Sequence, residues 1–350
     1  MPLRTKRPFE EFALVAANRQ FNQPFSGEFL DAITVQVDAT LTATSGAAVE
    51  HQAARLLESF ELVHGTKSLI RMRGLDLAML AHLVNRGSRV TRSGSGGGAM
   101  AGLYTLPFGE MIPGGGIDAS QVRLNAKGRT AAAFADFHTT ATAIDGKLAI
   151  SGEGPGLVAP EGFLQPHMKQ ATVKTETANA DEHVRFDFET NVDLMGFLVV
   201  AEDDSGKALS DGIVRKIRVD YLGSPRQEWT WAQLKEATAR FFKLASGTGL
   251  DATNGVDMVP PGVVFIPTRD HGRTTRSKPL GVVAGTAIVL HFDTAATIEN
   301  EFTALTLDTG DKVTVTPIAF ENVGAAASAA QSQAAAEARG AVSTRRGRAA

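Results

Sequence analysis

A strictly alternating segment followed by a helical pattern lies in the second half of the chain. In residues 216–221, polar and apolar side chains alternate, which predicts a strand with one buried face. Thr230 and Gln233 then have the Thr-x-x-Gln spacing of a capping box. The residues that follow predict a short amphipathic helix, and its apolar positions include Trp231, Leu234, Phe241 and Phe242.

A fainter version of this strand-helix pattern occurs in the first half. Residues 57–63 predict a strand, and residues 75–84 predict a helix with Asp76 as its N-cap and with Leu77 and Leu80 on one face. The two copies are much farther apart in the chain than the repeats of a solenoid. The repetition therefore predicts two similar domains.

Further segments with a strand pattern occur in both halves. The clearest is residues 32–44, where the alternation is unbroken. Shorter patterns predict strands at residues 131–140, 148–151, 171–175, 184–190, 194–201, 263–267, 287–292, 302–307 and 312–320. Many short strands around few helices predict an all-β fold.

Changes in composition divide the chain into domains. Residues 152–166 are dense in Gly and Pro and predict a linker. We therefore expect one domain at residues 25–160 and a second at residues 161–323. Residues 1–24 mix basic, acidic and isolated apolar side chains and are interpreted as an N-terminal arm, and residues 324–350 are interpreted as an Ala-rich basic tail.

Composition also excludes several classes of function. The chain has 350 residues, enough for two domains with their own cores, and its net charge of -3 gives no global reason to bind nucleic acid. It has no cysteine, which excludes disulfides, thiolate metal sites and a thiol nucleophile. The sequence contains no apolar run long enough to span a bilayer and no signal-peptide pattern, so we expect a soluble protein.

Segments that resemble catalytic or cofactor-binding motifs have simpler explanations. Asp308, Thr309 and Gly310 match the Asp-Thr-Gly of aspartic proteases, but a hairpin turn between two strands explains them better. Residues 94–99 match the pattern G-x-G-x-x-A, but a helical pattern precedes them where a dinucleotide fold needs a strand, so we interpret them as a loop. The sequence therefore predicts no enzyme, no cofactor, no metal site and no small-molecule substrate.

Two tandem domains of about eight strands, each with a helix after a strand of the type IRVDYLG or FELVHG, resemble a known family. These are the double jelly-roll major capsid proteins of tailless bacteriophages with an internal membrane. The resemblance implies an all-β fold of two tandem eight-stranded antiparallel jelly rolls, each with a short helix. It also implies a homotrimer whose six rolls form a pseudo-hexagonal tile of an icosahedral shell around a membrane and genome.

The resemblance further implies where the protein acts and which residues make its contacts. The protein would be made in the host bacterial cytoplasm, would reside in the capsid shell of the virion, and would also contact minor capsid or penton proteins. The helices would lie between rolls and between subunits, so the candidates for packing and interface residues are Trp231, Leu234, Phe241, Phe242, Leu77 and Leu80.

Short basic groups occur at both ends of the chain, at Arg4, Lys6, Arg7, Arg345, Arg346 and Arg348. Each group is too small to bind an anionic surface tightly by itself, but repetition over a closed shell would make the same contact avid. We therefore predict that both ends face the inside of the particle. There they would meet lipid head groups, nucleic acid or a minor protein.

Two alternatives stay open at this point. One is a different viral β-protein, such as a spike, a minor capsid protein or a tail component. The other is a carbohydrate-binding or carbohydrate-active β-sandwich, which would require clustered aromatic side chains or paired catalytic carboxylates. The chain has only two Trp and two Tyr, and both Trp lie at the start of one predicted helix, which favours the structural role.

Overall fold

The structure is a computed structural model, and it describes most of both halves of the chain. The described residues are 5–13, 19–21, 29–43, 51–85, 97–119, 122–130, 141–155, 160, 162–172, 182–203, 208–221, 224–244, 258–268, 280–294 and 311–323.

The first half of the described chain forms a roll of two facing sheets and three helices. In chain order its elements are β1 (Thr5–Ala13), β2 (Arg19–Phe21), β3 (Phe29–Leu30), β4 (Ala32–Ala43), α1 (Gln52–Leu56), β5 (Leu57–His64), β6 (Lys67–Met72), α2 (Gly74–Asn85), β7 (Gly97–Pro107), α3 (Phe108–Met111), β8 (Ile117–Asp118), β9 (Val122–Gly128) and β10 (Ala141–Gly154). One sheet has the order β1-β10-β4-β7, and the other contains β2-β9-β5-β6. The short strands β3 and β8 pair with each other.

The described residues of the second half form another roll, with two sheets and one helix. Its elements are β11 (Leu164–Lys169), β12 (Ala171–Thr172), β13 (Glu182–Phe188), β14 (Val192–Glu202), β15 (Val214–Tyr221), β16 (Ser224–Thr230), α4 (Trp231–Phe242), β17 (Val263–Pro267), β18 (Leu280–Val282), β19 (Thr286–Thr294) and β20 (Lys312–Asn322). One sheet contains β11-β20-β14-β17, and the other has the order β13-β19-β15-β16.

Both rolls follow the same path. If the short strands β3, β8, β12 and β18 are set aside, each roll has eight main strands. One sheet then contains the first, eighth, third and sixth of them, and the other contains the second, seventh, fourth and fifth. This is the strand order of a jelly roll, and in both rolls a helix of 12 residues, α2 or α4, joins the fifth and sixth main strands. The prediction of two tandem eight-stranded antiparallel jelly rolls is confirmed.

A parallel strand pair joins the two rolls. β6 of the first roll pairs with β11 of the second, with Ile70 opposite Met168 and Arg71 opposite Lys169. This pairing makes one continuous sheet of ten strands that runs through both rolls. Main-chain hydrogen bonds therefore hold the rolls side by side. The predicted linker at residues 152–166 overlaps the end of β10 and the start of β11, so the chain between these two strands is residues 155–163.

The apolar core also crosses the boundary between the rolls. One group of buried side chains fills the interior of the second roll. A second group fills the first roll and continues onto the outer face of β14. As a result β14 is buried on both faces over most of its length, whereas β4, the equivalent strand of the first roll, has exposed residues on its outer face from Gln36 onward.

The prediction of an N-terminal arm at residues 1–24 is wrong for the part that the structure describes. β1 pairs with β10, and β2 pairs with β9, so these segments supply the first two strands of the first roll. The first roll therefore begins at Thr5 instead of residue 25. The period-2 pattern was hidden because the register of β1 shifts between Pro8 and Glu11, and an irregularity of this kind interrupts the alternation of faces.

Other differences concern strands and a helix start that sequence analysis did not identify. β6, β7, β9 and β16 were not predicted as strands, and the predicted loop at residues 94–99 overlaps the start of β7 at Gly97. Asp76 is not an N-cap, because α2 begins at Gly74 and Asp76 lies in its first turn. The predicted strands at residues 131–140 and 302–307, the Asp308 turn and the tail at residues 324–350 lie outside the described residues.

Candidate interface between the rolls

α2 lies at the centre of the contact between the two rolls. Every residue from Gly74 to Leu83 is buried, which is typical of a helix that packs against neighbours on all sides. Leu77 and Leu80, two of the predicted packing residues, are completely buried. Gly74 is required where α2 approaches α1, because a Cβ atom there would lie 2.2 Å from the carbonyl oxygen of Ala54.

The first turn of α4 is anchored to the second roll. The predicted capping box is present: Thr230 Oγ1 accepts from the backbone N–H of Gln233 at 3.3 Å, and Gln233 Oε1 accepts from the backbone N–H of Thr230 at 2.9 Å. The indole of Trp231 donates to Asp211 Oδ1 at 2.8 Å. Trp231 and Leu234 both belong to the buried interior of the second roll, so they attach the helix to its own roll.

The last turn of α4 reaches the contact between the rolls. The rings of Phe241 and Phe242 lie 4.8 and 5.1 Å from the ring of Phe265 in β17, measured between centroids. Together with Leu80, Met195 and Glu110, these rings line a cavity of about 160 Å³. The structure thus brings together three predicted packing residues, Leu80, Phe241 and Phe242, and it places Trp231 and Leu234 elsewhere.

A buried cluster of charged and polar groups lies at the start of α2. Arg73 donates from Nε to Asp76 Oδ2 at 2.6 Å and from Nη2 to Thr314 Oγ1 at 3.0 Å, while Thr314 donates to Asp76 Oδ1 at 2.5 Å. Glu202 accepts from the guanidinium groups of both Arg55 and Arg73. Arg55, Arg73 and Asp76 belong to the first roll, and Glu202 and Thr314 belong to the second. We call these five residues the bridging cluster.

Burial and ion pairing have opposite effects on the pKa values of the charged groups in the bridging cluster. Burial disfavours the charged form of Glu202, but Arg73 and Arg55 outweigh this and lower the pKa of its carboxyl below the ordinary value of 4.5. Burial also disfavours the charge on Arg73, but Asp76 and Glu202 hold its pKa above the ordinary value. Burial, and then Arg73, lower the pKa of the neighbouring Lys312. Glu202 and Arg73 are therefore both ionised at neutral pH.

Sequence analysis did not identify the bridging cluster. Glu202 is separated from its partners Arg73 and Arg55 by 129 and 147 positions along the chain, so no local pattern connects them. The one available signal is that Glu202 lies at the end of a strand whose remaining residues are almost all apolar. A carboxylate in such a position is rarely buried unless it is paired.

Among the basic residues predicted to make contacts, two lie in a described strand. Lys6 and Arg7 lie in β1, opposite Glu153 and Gly152 of β10. The described part of the chain contains no group of three or more His, Asp or Glu side chains that could hold a metal ion. Nor does any of its helices have the length and hydropathy needed to cross a membrane. The other basic residues of the ends, Arg4, Arg345, Arg346 and Arg348, lie outside the described residues.

The chain is therefore a double jelly-roll protein, in which two rolls of the same strand order share one sheet, one of two groups of buried apolar side chains, and the bridging cluster. Among solved structures it is similar to the major capsid protein of Sulfolobus Turreted Icosahedral Virus, with a TM-score of 0.63 and 12% identity, covering 92% of this chain and 97% of that chain. For the major capsid protein of Bacteriophage PM2 the TM-score is 0.53 at 9% identity, covering 91% and 98%. For the Faustovirus major capsid protein the TM-score is 0.55 at 8% identity, covering 92% and 91%. No family model and no curated protein matches the sequence.

Proposed function

We propose that this chain is a structural major capsid protein that forms homotrimers, and that these trimers tile an icosahedral shell. The observation that carries the proposal is the duplication: two jelly rolls of identical strand order are fused side by side in one chain. The similarity of the fold to three viral major capsid proteins over more than nine tenths of this chain supports it.

The duplication offers a physical route to a hexagonal tile. Three chains bring six rolls, and a head-to-tail contact that repeats by rotation closes into a ring. A ring of six similar rolls has a nearly hexagonal outline, so one kind of trimer covers a flat lattice. This function requires large contact surfaces and no catalytic chemistry.

We propose further that the shell encloses a membrane and a genome, and that the chain ends face inward. The basic residues at both ends support this, because each contributes a small attraction to anionic lipid or nucleic acid that repetition multiplies. Minor capsid or penton proteins would be the other partners. The protein would then be made in the cytoplasm of a bacterial host and would reside in the virion.

Native mass spectrometry of the purified protein, followed by cryo-electron microscopy of the main species, tests the proposal. We expect the mass of three chains and a six-lobed outline in projection. A protein that stays monomeric at every concentration at which it is soluble would contradict the proposal. A trimer whose projection does not show six lobes would contradict the pseudo-hexagonal tile.

A further inference from the structure

The cavity at the last turn of α4 lies within a single chain and has walls from both rolls. Val84 of α2 and Met111 of α3 line it from the first roll, and Phe241 and Phe242 of α4 line it from the second. Its volume is about 160 Å³. A cavity of about 150 Å³ with a lining of Leu, Ile and Phe side chains holds a benzene molecule. The cavity therefore has room for one small ring.

Some apolar side chains around the cavity are not fully covered by protein. Val84, Phe241 and Phe242 pack against the group of buried side chains that crosses the boundary between the rolls, but they are themselves only partly buried. Protein interiors hold few voids larger than a water molecule, because side chains that border a void lose packing contacts. A ligand in this cavity would supply those contacts and would remove apolar surface from water.

The lining of the cavity favours an aromatic ligand. The rings of Phe241, Phe242 and Phe265 form a cluster in which the centroids lie 4.8 to 5.1 Å apart. Aromatic rings at this spacing attract each other in edge-to-face and offset arrangements, and a further ring can join them in the same way. Met111 and Met195 also line the cavity. Methionine side chains adapt to irregular shapes, and their sulfur atoms make favourable contacts with aromatic rings.

The one charged side chain that lines the cavity is an acid. Glu110 of α3 is exposed, so it places a carboxylate where the cavity meets solvent. Within the part of the chain that the structure describes, no basic side chain pairs with this carboxylate. An ammonium group at this position would gain a counter-ion and would lie beside an aromatic cluster, which also attracts cations. An anionic group there would be repelled.

We propose that this cavity binds a small aromatic ammonium compound, with the ring among Phe241, Phe242 and Phe265 and the cationic group at Glu110. The ligand contacts both rolls, so its binding stabilises their docked arrangement by mass action. Every residue that lines the cavity belongs to the same chain. The site therefore does not depend on the proposed trimer, and failure of either proposal leaves the other standing.

Benzylamine is the probe for this site, because it joins one aromatic ring to one ammonium group. The full chain has eight methionines, whose methyl groups can be labelled with carbon-13 and observed by NMR. We expect benzylamine to shift the signals of Met111 and Met195, which line the cavity, but not that of Met168, which is buried elsewhere. Leucine substitutions at Met111 and Met195 assign the two signals. The thermal unfolding midpoint should rise with the concentration of benzylamine.

Two results of the NMR titration would overturn the proposal. One is the absence of any shift at Met111 and Met195 up to the solubility limit of benzylamine. The other is an equal shift of all the methionine signals, which would show non-specific binding. Both results come from the natural chain, so they do not depend on the folding of any variant.

Val84→Phe tests whether the ligand occupies the cavity. Val84 is partly buried at the cavity wall, so a larger side chain has space to extend into it. We expect this variant to lose both the methionine shifts and the rise in the unfolding midpoint. The matched control is Val283→Phe, at a position that is 65% exposed and does not line the cavity, and it should keep both responses. Equal responses of the two variants would place benzylamine outside the cavity.

Glu110→Gln tests whether the site prefers a cation. We expect this exposed substitution to weaken the affinity for benzylamine about two- to fivefold, as measured by isothermal titration calorimetry. Benzyl alcohol has the same ring without the charge, and its affinity should be the same for the natural chain and for Glu110→Gln. The matched control, Glu228→Gln, should leave the affinity for benzylamine unchanged, because Glu228 does not line the cavity. Equal affinities of the natural chain and Glu110→Gln for benzylamine would overturn the assignment of a cationic ligand.

Discussion

At the scale of single residues, Glu202 is the member of the bridging cluster on which the others depend. It is buried, and its carboxylate accepts from two guanidinium groups of the other roll. A buried ion pair adds little net stability compared with an apolar pair, but removing one partner leaves the other charges buried without compensation. Substitutions at this position are therefore expected to be far more harmful than substitutions in surface ion pairs.

Glu202→Gln is expected to lower the free energy of unfolding by about 3 to 5 kcal/mol, because Arg55 and Arg73 lose their shared counter-charge in a buried site. Chemical denaturation, monitored by circular dichroism, measures the free energy of unfolding. The matched control is Glu228→Gln, whose carboxylate pairs with Lys216 at 3.2 Å on an exposed face and should change stability by at most about 1 kcal/mol. Equal effects of the two substitutions would contradict a special role for the bridging cluster.

His167 in β11 gives the stability a predictable dependence on pH. Burial, with Lys169 and Lys67 nearby, lowers the pKa of its imidazole from 6.5 to about 4. The unfolded chain therefore binds this proton more readily than the folded chain. The stabilising effect of the neutral ring is complete above pH 6.5 and is lost as the pH falls from 6.5 through the folded-state value of about 4.

His167→Gln is expected to flatten the stability profile within that pH window, because glutamine does not titrate. Urea denaturation at a series of pH values measures the midpoint for the wild type and the variant. His183→Gln, at an exposed position on β13, is the matched control and should follow the wild-type profile. A His167→Gln profile as steep as the wild-type one would assign the acid sensitivity to other groups.

At the scale of secondary-structure elements, prediction from the sequence succeeded for several strands and for α4. Alternation located β4 and β15, and the capping box located α4 to the residue. It failed for β1, where the register shifts, and for β16, which contains Pro225 near its start. The bridging cluster could not be predicted, because burial on the outer face of β14 depends on a second domain that is remote in the chain.

Trp231→Ala tests whether α4 is anchored as the structure indicates. Loss of this buried ring is expected to cost about 3 to 5 kcal/mol, and the hydrogen bond from its indole to Asp211 is lost as well. Trp229→Ala is the matched control, since Trp229 is only partly buried at the edge strand β16 and its loss should cost less. Thermal unfolding and native mass spectrometry measure both variants. Unchanged stability and oligomer mass in Trp231→Ala would show that α4 is not held by this residue.

At the scale of the whole molecule, the fusion of two rolls makes the contacts between them intramolecular. Those contacts share a sheet, an apolar core and buried charges, so they form as the chain folds. The outer faces of β4 and α4 carry exposed polar residues in the single chain. In the trimer proposed above, contacts between chains would have to use exposed surfaces, whereas the contact between the rolls needs no second chain.

The basic tail is expected to attract anionic surfaces weakly in one chain and more strongly when many copies are arrayed. It ends with Arg345, Arg346 and Arg348, and each basic residue near an anionic membrane contributes about 1 kcal/mol, so three together change affinity by about a hundredfold. A chain without residues 326–350 should keep the oligomer mass of the full chain but bind vesicles of anionic lipid more weakly, and the difference should shrink at high salt. Glutamine in place of the three arginines is the matched control and should reproduce the loss without shortening the chain. If the truncated and full-length proteins bind such vesicles equally well in flotation assays, the tail is an inert extension.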